Sequence, residues 1–220
     1  MKLADLVDLD HNLLSVMSRM GVRLGFGEHT IEEACRLHGV NTDSFLLVCD
    51  IYHYDDGKLP AELMARADVG DIVRYLRNSH RDYTNVSLKN LSSSLSVLME
   101  SYDDKTRCMI GRFFGDYERE VQNHFAYEEF TVIPYVESVI AGTPEGGYSI
   151  GQFRENHSNI DEKLGDLKNL VMKYLPEMSD QELRYDVLHQ IYHLEKDLAK
   201  HTSVEEDVLI PLVKKLESGE

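Results

Sequence analysis

Tryptophan is absent from this chain of 220 residues, and cysteine occurs only three times. The thiols, Cys35, Cys49 and Cys108, are odd in number and widely spaced. That argues against a disulfide framework and against a zinc finger. Basic residues are also scarce: 23 Lys and Arg stand against 39 Asp and Glu, a net charge of −16. Nucleic acid and anionic lipid are held through positive charge, so neither is expected as a partner. No apolar run approaches the roughly 18 residues that crossing a bilayer requires. Acids among the first ten residues break any signal-peptide core, so the cytoplasm is the expected compartment.

What is present is an ordinary globular mix, 42% apolar and 28% charged, enough for one large or two small domains. Residues 1–56 read as a small helical front domain, with helical patterns over 3–20, 30–38 and 42–52. Thr30 followed by Glu33 is a capping-box signal. This region has four bases (Lys2, Arg19, Arg23, Arg36) against ten acids, a poor composition for a DNA-binding helix-turn-helix. Residues 57–67 read as a linker, following the turn signal that begins at Asp55. Residues 68–220 hold four long helical patterns, over about 70–101, 105–140, 150–174 and 179–216. Ser179 with Glu182 supplies a second capping box. Short connections favour antiparallel neighbours, so the expected fold is all-α, an up-down-up-down four-helix bundle behind a small helical domain.

The apolar seams of these helices are interrupted. In the fourth, Val187, Ile191, Leu194, Leu198, His201, Glu205, Val208 and Leu212 follow the three-and-four spacing of a bundle seam. His201 and Glu205 stand where leucine would be expected. The second helix repeats this with Ile110, Phe114, Tyr117, Val121, His124 and Glu128. The third carries His157 between Phe153 and Ile160, and the first carries His80 between Leu76 and Tyr83. An offset of four places two side chains about 40° apart and about 6 Å along the axis, on one face. A single polar seam residue is ordinarily a satisfied core histidine. Burying four imidazoles and two carboxylates without partners would instead cost several kcal/mol each, as a rough estimate. His80 and His124 each lie about 20 residues from their shared loop, as His157 and His201 do from the turn at Pro176. Antiparallel packing at about 1.5 Å rise per residue then brings all four histidines to one level.

The economical explanation is a cationic site held by His80, His124, Glu128, His157, His201 and Glu205. Zinc usually takes four ligands, and calcium and magnesium prefer oxygen alone. Six mixed nitrogen and oxygen donors suit two iron ions, bridged by oxide or carboxylate, with manganese as an alternative. Such a pair would keep positions open for water, O2 or NO. His189 and His193 lie round the fourth helix from this seam, and His11, His29, His38 and His53 read as surface or local packing. Glu120 reads first as a solvated residue and second as a proton carrier beside His124. Tyr83, Tyr117 and Tyr135 read as core, with lining of the cavity as the second reading.

The segments His124-Phe-Ala-Tyr-Glu128 before Val132-Ile133-Pro134, and His201-Thr-Ser-Val-Glu205 before Val208-Leu209-Ile210-Pro211, resemble the paired motifs of hemerythrin-like (HHE) cation-binding domains. With His80 and His157 the set is similar to the bacterial iron-centre repair family, over about 68–216. Leu3-Ala-Asp-Leu-Val and Thr30-Ile-Glu-Glu-Ala-Cys35 resemble that family's small front domain. The adjacent cysteines typical there are missing, since Gly21-Val22-Arg23-Leu24-Gly25-Phe26-Gly27 occupies the place. The resemblance implies a cytoplasmic non-haem di-iron protein of nitrosative or oxidative stress. It would repair iron–sulfur centres, with iron–sulfur proteins as partners, or carry out NO chemistry. An O2 or NO carrier or sensor is the alternative, and enzymatic activity stays open. A homodimer is compatible with either. A third expectation is a metal-free polar core in which His pairs with Glu directly.

Overall fold

A computed structural model describes residues 1–54, 58–144, 147–156, 160–177 and 181–219. Among the described residues every named element is helical, joined by a single isolated bridge between Lys2 and Thr30. The front holds α1 (Leu3–Leu9), α2 (Leu13–Met20), α3 (Ile31–His38), α4 (Thr42–His53) and α5 (Ala61–Arg66). The long runs follow: α6 (Val69–Asp82) and α7 (Leu88–Met99), then α8 (Asp104–Tyr127) and α9 (Ile133–Ile140). Next come α10 (Ile150–Asn156) and α11 (Asp161–Asn169), and finally α12 (Gln181–Val204) and α13 (Ile210–Ser218). None of these helices is long and apolar enough to cross a membrane.

Contacts divide the chain into two compact units. One comprises residues 80–130 and 157–199. Its core draws on all four long runs: Leu91, Leu95 and Leu98; Ile110, Phe114 and Val121; Leu164, Leu167 and Val171; Val187, Ile191, Leu194 and Leu198. These are the apolar members of the seams, and their convergence is what the three-and-four spacing requires. Arg184 closes one end. Its Nε, Nη2 and Nη1 donate to the carbonyls of Val171, Leu175 and Pro176 at 2.8, 2.9 and 3.2 Å. Those carbonyls lie at the end of the third run, where no further turn supplies amides to donate to them.

The other unit comprises residues 1–79, 131–156 and 200–220. Within it the front helices are stitched to α6. The Asn41 amide donates to Asp71 at 2.5 Å, and Ser44 Oγ accepts from the Asp68 amide at 2.7 Å. Thr30 and Glu33 form the expected capping box on α3. The pattern over 3–20 is broken into α1 and α2, because Asp10 Oδ1 accepts from both the amide and the side chain of Asn12. Such local bonding competes with the helix ladder. The stretch read as a linker contains α5, tied down by Arg66 to Asp43 at 3.0 Å. Ser179, read as the cap of the fourth run, lies outside the described residues, as do Asp55, Asp56 and Gly57.

Each long run is interrupted by a wider π-helical turn: Tyr83–Ser87, Glu128–Val132, Leu170–Tyr174 and Glu205–Leu209. Two of them begin at a seam glutamate and run into a proline, Pro134 or Pro211. Proline has no amide hydrogen, and its ring collides with the carbonyl four residues back, here that of Phe130 or Asp207. Both carbonyls fall inside the π turns, so the wider turn absorbs the collision without ending the helix. Single π turns of this sort recur at functional sites.

Candidate metal centre

Helix α6 presents His80 near its C-terminal end, and α8 presents His124 one turn before Glu128. His80 Nε2 lies 2.9 Å from Glu128 Oε2, and His124 Nε2 lies 2.7 Å from Glu128 Oε1. Each oxygen of this carboxylate therefore faces one imidazole. Phe125 packs between these groups, with its ring stacked on that of His80 at 4.4 Å between centroids. Tyr83 lies beyond it and donates its hydroxyl to the Asp197 carbonyl at 3.1 Å. On the last long run His201 Nε2 lies 3.4 Å from Glu205 Oε1, again one turn apart.

One ligand atom from each of His80, Glu128, His201 and Glu205 falls within 4.8 Å of all the others. Exposure is 4% for His80 and 1% for the other three. The donor set consists of imidazole nitrogen and carboxylate oxygen, both cation ligands. A carboxylate facing two imidazole nitrogens is balanced either by protons on those nitrogens or by a cation shared among the groups. Carboxylates removed from water demand one or the other. The residues present fit a transition metal.

His124 joins this group through Glu128. His157 lies outside the described residues. His189 and His193 are exposed on α12, as are His11, His29 and His53 elsewhere, while His38 is half-buried. Glu120 pairs with Lys163 on a partly exposed face, which is its solvated reading. Tyr117 is buried in the core, and Tyr135 donates to Glu217 at 2.5 Å.

Sequence reasoning missed Glu129. Its Oε1 lies 2.8 Å from His80 Nδ1, on the far side of the ring from Glu128. A carboxylate can only accept here, so Nδ1 donates to Glu129, and with a cation bound Nε2 would be left to offer its lone pair to the metal. Fixing the tautomer of a ligand histidine in this way is a recurrent device of metal sites. The only signal in the sequence was adjacency to Glu128. Adjacent helical residues point about 100° apart, so adjacency alone does not place Glu129 at the site.

No curated protein matches the chain. A profile of the hemerythrin HHE cation binding domain matches residues 71–213, more than half of the chain and the span that carries both His-x3-Glu motifs. The chain belongs to the hemerythrin HHE cation-binding domain family.

Proposed function

We propose that the chain is a non-haem di-iron protein acting in nitrosative or oxidative stress. His80, His124, Glu128, His157, His201 and Glu205 would be the iron ligands. The observation that carries this reading is the gathering of two almost fully buried carboxylates with buried imidazoles, in a family defined by cation binding. Nitrogen and oxygen donors together favour iron or manganese over calcium, magnesium or structural zinc. When bound, the iron pair would supply exchangeable electrons and open positions for O2 or NO. The chain's own groups do the rest. Glu129 holds the orientation of His80, and Phe125 shields one ring face from water.

On this reading the physiological work is NO chemistry or the repair of damaged iron–sulfur centres. The test begins with protein expressed in iron-replete medium and purified without oxygen. It should contain close to two irons per chain, and His124→Ala and Glu128→Ala should lower that content. Restored activity of a damaged iron–sulfur enzyme should depend on the same two residues. Absence of both iron and manganese from such protein would reject the reading.

A second reading, an O2 or NO carrier or sensor without catalysis, is favoured by the front-segment thiols. Cys35 and Cys49 are both buried, so neither is presented for iron delivery or redox exchange. Adding O2 to the reduced protein separates the readings. A reversible absorption change supports the carrier, and irreversible oxidation rejects it.

A further inference from the structure

A line of buried polar groups runs from the front segment to His201. Helix α2 ends at Gly21, whose φ of +83° closes a Schellman turn, with the Val22 amide donating to the Met17 carbonyl at 2.8 Å. The turn fixes the last residues of α2, including Arg19, which is only 4% exposed. Arg19 Nη1 donates to Tyr52 Oη at 2.8 Å, and Tyr52 Oη lies 2.8 Å from Tyr75 Oη. The Tyr75 ring, fully buried on α6, lies 6.4 Å from the His201 ring between centroids. Two further bonds brace the line. Asn78 Nδ2 donates to the Arg19 carbonyl at 2.7 Å, locking α2 to α6. Lys200, the neighbour of His201, donates from Nζ to the Tyr54 carbonyl at 2.9 Å, locking the end of α4 to α12.

Burying a guanidinium is costly, and a front domain serving only to dock a partner has no use for one in its interior. The two hydroxyls are likewise placed where apolar atoms would pack at lower cost. Arg19 can only donate, so Tyr52 Oη accepts from it, and the Tyr52 and Tyr75 hydroxyls share a further bond in which either can donate. The arrangement resists rotation of Tyr75, and Tyr75 in turn limits the ring positions open to His201.

We propose that Arg19, Tyr52 and Tyr75 are positioning residues for His201, so that the front segment is a structural part of the metal-binding unit. This rests on the reading of His201 as a metal ligand. The test uses the full-length protein, stripped of metal and refilled with cobalt(II), whose visible bands report ligand geometry. Tyr52→Phe keeps the ring and removes the hydroxyl. It should shift the cobalt bands and weaken cobalt binding about tenfold in competition with a chelator. The far-UV circular dichroism of the metal-free protein should not change. Arg19→Met should act in the same direction, and Arg19→Lys, which restores a donor, should recover the wild-type spectrum. Cobalt spectra and affinities in Tyr52→Phe and Arg19→Met that match the wild type would overturn the proposal. So would an Arg19→Lys variant no better than Arg19→Met. A wild type that takes up no cobalt, or a His201→Ala variant that binds it equally well, would instead defeat the metal-ligand reading, and this inference with it.

Discussion

His80 is gripped from both sides, with Glu128 Oε2 2.9 Å from its Nε2 and Glu129 Oε1 2.8 Å from its Nδ1. Adjacent residues of one chain reach opposite edges of the same ring because they open a π-helical turn, where the backbone is wider than in α-helix. If His80 ligates metal, Glu129→Leu should weaken chelator-competed iron or cobalt binding by roughly ten- to a hundredfold. Glu129→Gln keeps an accepting oxygen and should lose less. Glu120→Gln, whose carboxylate pairs with Lys163, should bind as the wild type does. Equal affinity in Glu129→Leu and the wild type would remove Glu129 from the site.

Arg184 tests the scaffold independently of metal. One buried side chain satisfies the terminal carbonyls of Val171, Leu175 and Pro176. Arg184→Met keeps much of the apolar stem and takes the guanidinium from the Val171 and Leu175 carbonyls, while Pro176 keeps its bond from the Tyr102 hydroxyl at 3.2 Å. The expected loss is about 2–4 kcal/mol, since bonds from a charged group are stronger than neutral ones. For a chain of this size that corresponds to roughly 5–15 °C in melting temperature. The measurement is a calorimetric melt of metal-free protein. A change below a degree would mean that water replaces the guanidinium.

These features mark how far the sequence could be read. The seams were legible because apolar residues at three-and-four spacing have one low-energy arrangement, and Leu95, Leu164 and Leu194 duly meet in one core. His201 and Glu205 were legible as polar breaks in that rhythm. The π turns were not, because one additional residue per turn leaves the apolar spacing nearly intact. Pro134 and Pro211 were the available hint. Glu129 was hidden for the same reason, since its orientation depends on the turn that Glu128 opens. The Arg19 to Tyr52 bond joins residues 33 positions apart, a separation no local pattern reports.

Tyr135 predicts a loss of stability in alkali. Its hydroxyl donates to Glu217 Oε1, which also accepts from the Ile150 amide at 2.9 Å. Burial, and then the neighbouring carboxylate, push the phenol up to about 12. An unfolded tyrosine ionises near 10. Below that value both states hold the proton, and the interaction contributes fully. Between about 10 and 12 the unfolded chain releases the proton while the folded chain keeps it, so stability falls as pH rises. Urea midpoints measured from pH 9 to 11.5 should fall more steeply for the wild type than for Tyr135→Phe. Parallel slopes would show that Tyr135 contributes nothing to alkaline unfolding.

The reactivity of the thiols bears on function. Burial pushes Cys35 up to about 11, against an opposing hydrogen bond with Thr42. Cys49 is raised well above the ordinary thiol range, again by burial first. Only the thiolate is nucleophilic, so at pH 8 both should be nearly inert, while Cys108 is exposed on α8. A native chain should therefore titrate with one thiol per chain against a chromogenic disulfide reagent. Cys108→Ser should abolish that signal, and denaturant should reveal all three. Rapid reaction of Cys35 or Cys49 in the folded protein would mean that the front segment opens. Thiol exchange through it would then return as a route to iron–sulfur repair. With a single reactive thiol, and that one lost in Cys108→Ser, repair would have to proceed without any cysteine from the front segment.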